Sequence, residues 1–230
     1  MCRPASFVVV KGPRAFWSKL TDAHVEIRKE LGMPENGVGR ITSVQVEVTP
    51  PNDDFSAPLD KWVFRVDQDA LPDWWDAKEA EKECRSELKK WVEVRLIGEG
   101  VVDEITEGTI TAVFGSARVG SVSGSARVGS VYGSARVGRV FGSASVVSVF
   151  GSASVGSVSG SAGVGSVFDS ARVGSVSGSA GVGSVRDSAR VGGVFGSAIV
   201  GSVRDSARVE RVCGLARSEE RRVGKECTIQ

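Results

Sequence analysis

The chain contains few of the residues on which most enzymatic chemistry depends. Among its 230 residues are one His, two Met and one Tyr. The four cysteines have spacings that match neither a zinc site nor a disulfide framework. No segment has the roughly 18 consecutive apolar residues of a transmembrane helix, and the first ten residues lack the pattern of a signal peptide. We therefore expect no membrane association. The cysteines are Cys2, Cys84, Cys213 and Cys227.

Polar candidates for chemistry are sparse and have structural explanations. His24 lies beside the apolar stripe of a predicted helix, which favours a core side chain over a general base. An acidic cluster in the segment 67–76 lacks the Gly and the closing Glu of a calcium loop, and turn formation and helix capping account for it better. We expect no catalytic residue, no metal site and no cofactor. The cluster consists of Asp67, Asp69, Asp73 and Asp76.

A nine-residue repeat, Val-x-Gly-Ser-Ala-Arg-Val-Gly-Ser, runs from Val113 to Ala216. A doubled period of eighteen lies beneath it, because Asp replaces Gly only at Asp169, Asp187 and Asp205. Repeats of this length indicate a solenoid, and their Gly and β-branched Val exclude helices. We predict a mainly β fold: a flattened β-solenoid with two nine-residue units per 18-residue turn. About six turns would form a rod of roughly 28 Å.

Strict alternation within Val131–Val137 assigns each side chain of a unit to one side of a strand. The following pair, Gly138-Arg139, is then the predicted corner between strands. The alternative is a disordered Gly/Ser-rich linker, which would not need Val at two fixed places in nearly every unit. The predicted inward residues are Val131, Gly133, Ala135 and Val137, and the outward ones are Tyr132, Ser134 and Arg136.

Three regions differ in composition: residues 1–100, 101–216 and 217–230. All five Trp and all seven Pro lie in the first region. We expect it to be a small α+β domain that caps the first turn of the solenoid, because a bare turn exposes unpaired backbone groups. Its predicted elements are strands at 7–11, 41–49 and 62–66, a helix from Pro13 to Met33 with Phe16, Leu20, Ile27 and Leu31 on one stripe, and a second helix capped by Asp73 that ends near Trp91, with Ala77, Ala80, Cys84, Leu88 and Trp91 on its stripe.

The segment Val66–Trp75, which reads Val-Asp-Gln-Asp-Ala-Leu-Pro-Asp-Trp-Trp, precedes a charged helix and Ser-Ala-Arg-Val repeats. In this arrangement the chain resembles a group of uncharacterised proteins encoded by bacteriophages and prophages. The resemblance covers most of the chain and implies a phage or bacterial source, but no activity. The expected location is the cytoplasm of a bacterial host or the virion.

The tail from Arg217 to Cys227 reads Arg-Ser-Glu-Glu-Arg-Arg-Val-Gly-Lys-Glu-Cys. It looks like the conceptual translation of a common short-read sequencing adapter. The alternative is a genuine charged tail. On the adapter interpretation, the natural sequence continues beyond Ala216 and the tail charges carry no function.

Stacked turns would align identical side chains in columns on one solenoid face. Residues 1–112 hold 15 basic and 21 acidic residues, whereas residues 113–216 hold ten Arg and four acidic residues. The Asp column is expected to serve as counter-charge to Arg186 and Arg204. The candidate binding residues are Arg118, Arg136, Arg172, Arg190 and Arg208, with Phe114, Tyr132, Phe150 and Phe168 beside them.

Several interpretations of the basic repeat remain open: a solvated charged sheet face, a binding surface, or attraction between the acidic domain and the basic rod. The leading hypothesis is a non-enzymatic structural or interaction protein, a phage-related β-solenoid scaffold. Its expected partner is an unknown protein, or a second copy bound through the open solenoid end. The alternative is a binder of an anionic polymer, either nucleic acid or acidic glycan, through the Arg and aromatic columns.

Overall fold

The computed structural model describes residues 4–34, 41–218 and 226–227, and side chains as far as Arg217. The chain divides into two compact units, Met1–Leu96 and Ile97–Gln230. The division falls four residues before the boundary drawn from the sequence. Most of the segment 217–227 lies outside the described residues.

The first unit is an antiparallel sheet with two helices, and its strand order is β2-β1-β3-β4. Its core joins Phe7 and Val9 of the sheet to Cys84, Leu88 and Trp91 of the second helix. Apolar side chains therefore hold the long helix against the sheet. The elements are β1 Ser6–Val10, β2 Arg14–Phe16, α1 His24–Glu30, β3 Ser43–Thr49, β4 Val63–Val66 and α2 Ala77–Arg95, with short 3-10 turns at Pro51–Asp53 and Leu59–Lys61.

The prediction of one helix from Pro13 to Met33 is wrong over most of its length. Gly12 has a positive φ of 82° and allows the chain to reverse, so that Phe16 pairs with Val8 in a hairpin. Only His24–Glu30 is helical. On the predicted apolar stripe, Ile27 is buried, but Leu20 and Leu31 are exposed. Sheet pairing thus outweighs the helical periodicity of this segment.

The second predicted helix forms, but it begins and ends later than the sequence indicated. Asp76, not Asp73, is the N-cap, and its carboxylate accepts hydrogen bonds from the backbone N–H groups of Lys78 and Glu79. The helix continues to Arg95. Of the predicted stripe, only Ala77 is exposed. The other four residues, Ala80, Cys84, Leu88 and Trp91, are buried as predicted.

The second unit consists of two parallel sheets, as the 18-residue period predicted. Even-numbered strands form one sheet, here called the even sheet, and odd-numbered strands from β5 form the odd sheet. The even sheet contains β6 Val101–Ile105, β8 Arg118–Val122, β10 Arg136–Val140, β12 Ser154–Val158, β14 Arg172–Val176, β16 Arg190–Val194, β18 Arg208–Cys213 and β20 Glu226–Cys227. The odd sheet contains β5 Leu96–Ile97, β7 Thr109–Val113, β9 Arg127–Val131, β11 Ser145–Val149, β13 Gly163–Val167, β15 Gly181–Val185, β17 Ile199–Val203 and β19 Arg217–Ser218.

Each strand of the repeat lies beside the strand eighteen residues earlier, so that equivalent residues are neighbours. Val137, for example, pairs with Val119 and Val155. The first turn is the exception: Val102 pairs with Val119, a separation of seventeen. The turn between β6 and β7 is one residue shorter than those that follow it. The chain is therefore a β-solenoid with two strands per turn.

The predicted corner at Gly138-Arg139 is wrong, because both residues lie within β10. Val137 and Val140 are three residues apart, yet both are buried. Gly138 has no partner in the register, which passes from Val137 opposite Val119 to Arg139 opposite Ser121. The offset of eighteen is the same on both sides of the glycine, so the backbone bends there without an extra residue in either strand. This bend, here called the bulge, turns both valines inward. The true corner is the four-residue turn 132–135.

Gly133 was expected to face inward, but it is exposed in the turn and has a φ of 68°. The other predicted inward residues of this unit, Val131, Ala135 and Val137, are buried. The outward residues Tyr132, Ser134 and Arg136 are half-buried or exposed, as predicted. One Ala and two Val of each unit thus form a continuous core along the solenoid.

A close backbone approach favours glycine at the bulge, although Glu210 in β18 and Val147 in β11 occupy the equivalent position. A Cβ added to Gly138 would lie 2.4 Å from the carbonyl oxygen of Gly120 in the preceding turn. All five bulge glycines of the even sheet show the same 2.4 Å approach. The bulge therefore stacks most compactly when a residue without a side chain occupies it. These glycines are Gly120, Gly138, Gly156, Gly174 and Gly192.

Candidate binding surface of the solenoid

Four aromatic rings form a continuous stack along one corner of the solenoid. Adjacent ring centroids lie 5.4, 5.0 and 5.0 Å apart, and the interplanar angles are 10° or less. Each ring is the first residue of a four-residue turn, so the 18-residue period places the rings directly over one another. The stack consists of Phe114, Tyr132, Phe150 and Phe168.

A further residue lies near each end of the stack. The ring of Phe114 lies against Gly98, where an added Cβ would be 3.0 Å from Cζ of the ring. At the other end, the guanidinium carbon of Arg186 lies 5.0 Å from the centroid of the Phe168 ring. Arg186 thus continues the column as a cation–π contact. The rings of Tyr132, Phe150 and Phe168 thus have neighbours within the column on both faces.

The predicted arginine column exists on the outer face of the even sheet. Arg118 pairs with Arg136, and Arg190 lies between Arg172 and Arg208. Ser154 interrupts the column at β12. All five arginines are exposed. Each arginine follows the first residue of its turn by four positions, so this column borders the corner that carries the aromatic stack.

The arginines of the solenoid make no salt bridge within the part of the chain that the structure describes. Every described ion pair lies in the first unit. Arg139, which the sequence did not single out, lies over the Phe141 ring with 5.5 Å between its guanidinium carbon and the centroid. Exposed guanidinium groups without carboxylate partners retain their donors for an external anion.

The Asp column was predicted to provide counter-charge to Arg186 and Arg204, but its carboxylates bind backbone N–H groups instead. The Oδ2 atoms of Asp169, Asp187 and Asp205 accept hydrogen bonds from the backbone N–H groups of Gly151, Asp169 and Asp187, at 3.0, 3.3 and 3.3 Å. None of the described salt bridges joins them to Arg186 or Arg204. Each Asp therefore ties its own turn to the preceding one.

The same three residues occupy the left-handed position that glycine holds in the other turns. Their φ angles are 57° to 59°. Asp tolerates this region better than most residues because its short side chain can form local hydrogen bonds. The left-handed turn explains why Asp, and not a longer acidic residue, replaces Gly here. The sequence could have indicated this left-handed conformation, because the residue that Asp replaces is always the turn glycine.

The outer face of the odd sheet is almost uncharged. Between Arg127 and Arg217 its first column contains Ser145, Gly163, Gly181 and Ile199. A serine column runs beside it, in which the hydroxyls of Ser166 and Ser184 are 3.1 Å apart. Val147 and Ile199 are 60% and 52% exposed. The two faces of the solenoid therefore differ in charge, with the arginines concentrated on the even sheet.

The buried Arg95 of the first unit has structural partners. Arg95 is fully buried, donates a hydrogen bond to the carbonyl of Ser18 and forms an ion pair with Asp22. Trp91 also donates to the Asp22 carboxylate, and its ring lies under the Arg95 guanidinium. Burial lowers the pKa of Arg95, and Asp22 partly offsets this effect. This arrangement joins α2 to the segment before α1.

His24 and Cys84, which the sequence placed beside and on apolar helix stripes, both lie in the core. The Nε2 atom of His24 is 3.1 Å from the Val46 carbonyl oxygen, and its Nδ1 atom is 3.4 Å from Oδ2 of Asp67. Cys84 is a free, buried thiol, and burial raises its pKa to about 12. A thiol with such a pKa is protonated at neutral pH and is a poor nucleophile.

Two further sequence predictions concern metal binding and cysteine pairing. Within residues 4–34 and 41–217, no group of three His, Cys, Asp or Glu side chains is arranged to hold a metal ion. Asp76 instead caps α2. Cys213 is disulfide-bonded, although the cysteine spacing did not indicate a disulfide framework. The side chains of Cys2 and Cys227 lie outside the described residues.

The chain matches no protein-family model, no curated protein and no solved structure. No described helix is both long and apolar enough to cross a bilayer.

Proposed function

We propose that the chain is a non-enzymatic structural or interaction protein, a β-solenoid scaffold that presents a regular face to a protein partner or to a second copy. The observation that carries this proposal is the in-register stacking of equivalent residues on two flat sheets. A surface built from repeated columns suits contacts that extend along its length. The buried positions of His24 and Cys84 support a role without catalysis.

A phage-related origin is part of this proposal. Its support is the resemblance of the segment Val66–Trp75 and of the Ser-Ala-Arg-Val repeats to phage and prophage proteins. The location that follows is the cytoplasm of a bacterial host or the virion.

Sedimentation velocity of the full chain over a range of concentrations tests self-association. The exposed Val147 and Ile199 provide a suitable variant, V147S/I199S, because serine is already common on the odd sheet. We expect association that increases with concentration and is weakened in this variant. A matched control, V63S, changes an exposed valine of the first unit. A strictly monomeric chain at all concentrations would contradict the self-association form of the proposal.

A second candidate function is the binding of an anionic polymer, and the exposed arginine column favours it. Five guanidinium groups share one face and have no described carboxylate partner. Binding would weaken steeply with salt, because it releases counterions from the polymer. Replacement of the five column arginines by Ser should abolish such binding and leave the fold intact, as the natural Ser154 in the same column indicates. Unchanged binding would contradict this function.

A further inference from the structure

We propose that the outer face of β14, β16 and β18 is a binding site for a linear acidic polysaccharide. This inference rests on the second candidate function, and it names both the site and the class of polymer. The site combines three adjacent arginines with an aromatic ring that lies outside the stack. Its central residues are Arg172, Arg190, Arg208 and Phe195.

In the described column, only these three arginines occupy three successive strands of the even sheet. Arg190 is in register with Arg172 on one side and with Arg208 on the other. Neighbouring strands are about 4.8 Å apart, so the guanidinium groups recur at that interval along the solenoid. One sugar residue of an extended β-linked chain has nearly the length of one such step, and anionic groups on successive or alternate sugars would meet successive or alternate arginines.

Phe195 places a ring over Gly193 on the same outer face of β16, three residues along the strand from Arg190. Its Cε2 and Cζ atoms lie 2.5 Å from the position that a Cβ on Gly193 would occupy. Gly193 is at the register position that carries Ser175 in β14 and Arg211 in β18. The ring fits here because residue 193 is glycine and has no side chain. Phe195 is half-buried, and an aromatic ring beside cationic groups suits the apolar C–H face of a sugar together with its carboxylate or sulfate.

The neighbouring turns add two further cations. Arg186 and Arg204 are the first residues of the turns that lead into β16 and β18. Arg186 is held against the Phe168 ring, which leaves the edge of its planar guanidinium group to donate hydrogen bonds. The acidic residues nearby are Asp187, Asp205 and Glu210. One carboxylate oxygen of each Asp already accepts a backbone hydrogen bond, and Glu210 is exposed in β18.

Two observations favour a polysaccharide over a nucleic acid. Single-stranded nucleic acids bind through rings that stack on successive bases, but three of the four rings in the column already have neighbours within the column on both faces. In addition, the guanidinium groups recur in one column along the solenoid at ~4.8 Å intervals, whereas the phosphates of a duplex strand wind around the helix axis. A polymer recognised through its anionic groups and a single ring fits better.

The test measures binding of the full chain to cellulose sulfate, to hyaluronan and to a thymidine oligonucleotide, each over a range of salt concentrations. The variant R172S/R190S/R208S removes the proposed site. The control R118S/R127S/R136S removes the same charge from other positions of the repeat, all of them exposed. Serine occurs naturally in both columns, at Ser154 and Ser145, and circular dichroism verifies the fold of each variant.

We expect the site variant to bind at least one polysaccharide roughly tenfold to a hundredfold more weakly, and the control to lose about threefold or less. F195S removes the ring of the proposed site and should also weaken binding. Its fold should be preserved, because Ser177 shows that the equivalent turn position accepts serine.

Equal losses in the two triple variants would mean that only net charge matters, and would overturn the site. Oligonucleotide binding as tight as polysaccharide binding would overturn the choice of polymer while leaving the anionic-polymer function standing. Absence of binding to all three probes would overturn both, and the scaffold proposal would then rest on its sedimentation test.

Discussion

The bulge glycines of the even sheet allow a sharp test of how the solenoid is held together. In Gly156→Ala, the new Cβ would lie 2.4 Å from the carbonyl oxygen of Gly138. An ordinary contact begins at about 3.4 Å, so one backbone segment must move by roughly 1 Å. The obstacle is backbone on both sides and cannot be relieved by rotation of a side chain. We expect destabilisation of about 1–3 kcal/mol, the usual cost of overpacking.

Gly163→Ala is the matched control. Gly163 begins β13, and a Cβ added there has no heavy atom within 4 Å. The same chemical change should therefore be neutral, or stabilise by about 0.4–1 kcal/mol through the lower entropy of the unfolded chain. Both variants are compared by urea unfolding, monitored by circular dichroism in the β region.

The reasoning would be refuted if Gly156→Ala and Gly163→Ala unfolded at the same urea concentration. Val147 provides a further check, because it occupies the equivalent bulge position in the odd sheet, where the backbone approach is slightly longer, 2.5–2.6 Å. Val147 is 60% exposed, so Val147→Gly loses little buried area. We expect its stability to be equal to or greater than that of the parent chain.

Other changes should act through equally local causes. Asp187→Gly loses one hydrogen bond, whereas Asp187→Ala also places a Cβ at a φ of 58°, so thermal unfolding should show the Ala variant to be less stable by about 1 kcal/mol. Phe150→Ala removes a ring between two stacked neighbours and should cost about 2 kcal/mol in the same assay. Asp22→Ala removes the ion pair of the buried Arg95, and we expect a loss of about 3–5 kcal/mol of unfolding free energy. Because burial raises the pKa of Cys84 to about 12, maleimide at pH 7 should label this cysteine only in denaturant, as read by peptide mass spectrometry.

Much of the first unit could be anticipated from apolar periodicity, but not where its elements begin. The stripe of α2 is strong, and four of its five predicted residues are buried. The helix expected from Pro13 fails because Arg14–Phe16 pairs with β1, an interaction between segments that local propensity does not report. Cap selection is similar: Asp73 and Asp76 are both suitable residues, and the path of the chain decides between them.

In the candidate site, the arginine column was predictable because it follows from counting by eighteen. The fate of the aromatic rings was not predictable in the same way. Equal spacing brings Phe114 and Tyr132 together, but it does not indicate that the ring faces close against one another. The position of the Phe195 ring was not predictable for a different reason, because it depends on the absence of a side chain at Gly193.

The sequence by itself determined the period, the parallel in-register stacking and the membership of the columns from β8 to β18. These follow from the spacing of residues along the chain, since a turn of eighteen residues must place position i beside i + 18. The tertiary structure alone decided where each strand ends, which side chains point inward around the bulge, and which groups the Asp carboxylates bind. The direction of the side chains around the bulge depends on the backbone angles of its glycine. Glycine allows several combinations of these angles, and packing against the preceding turn selects one of them.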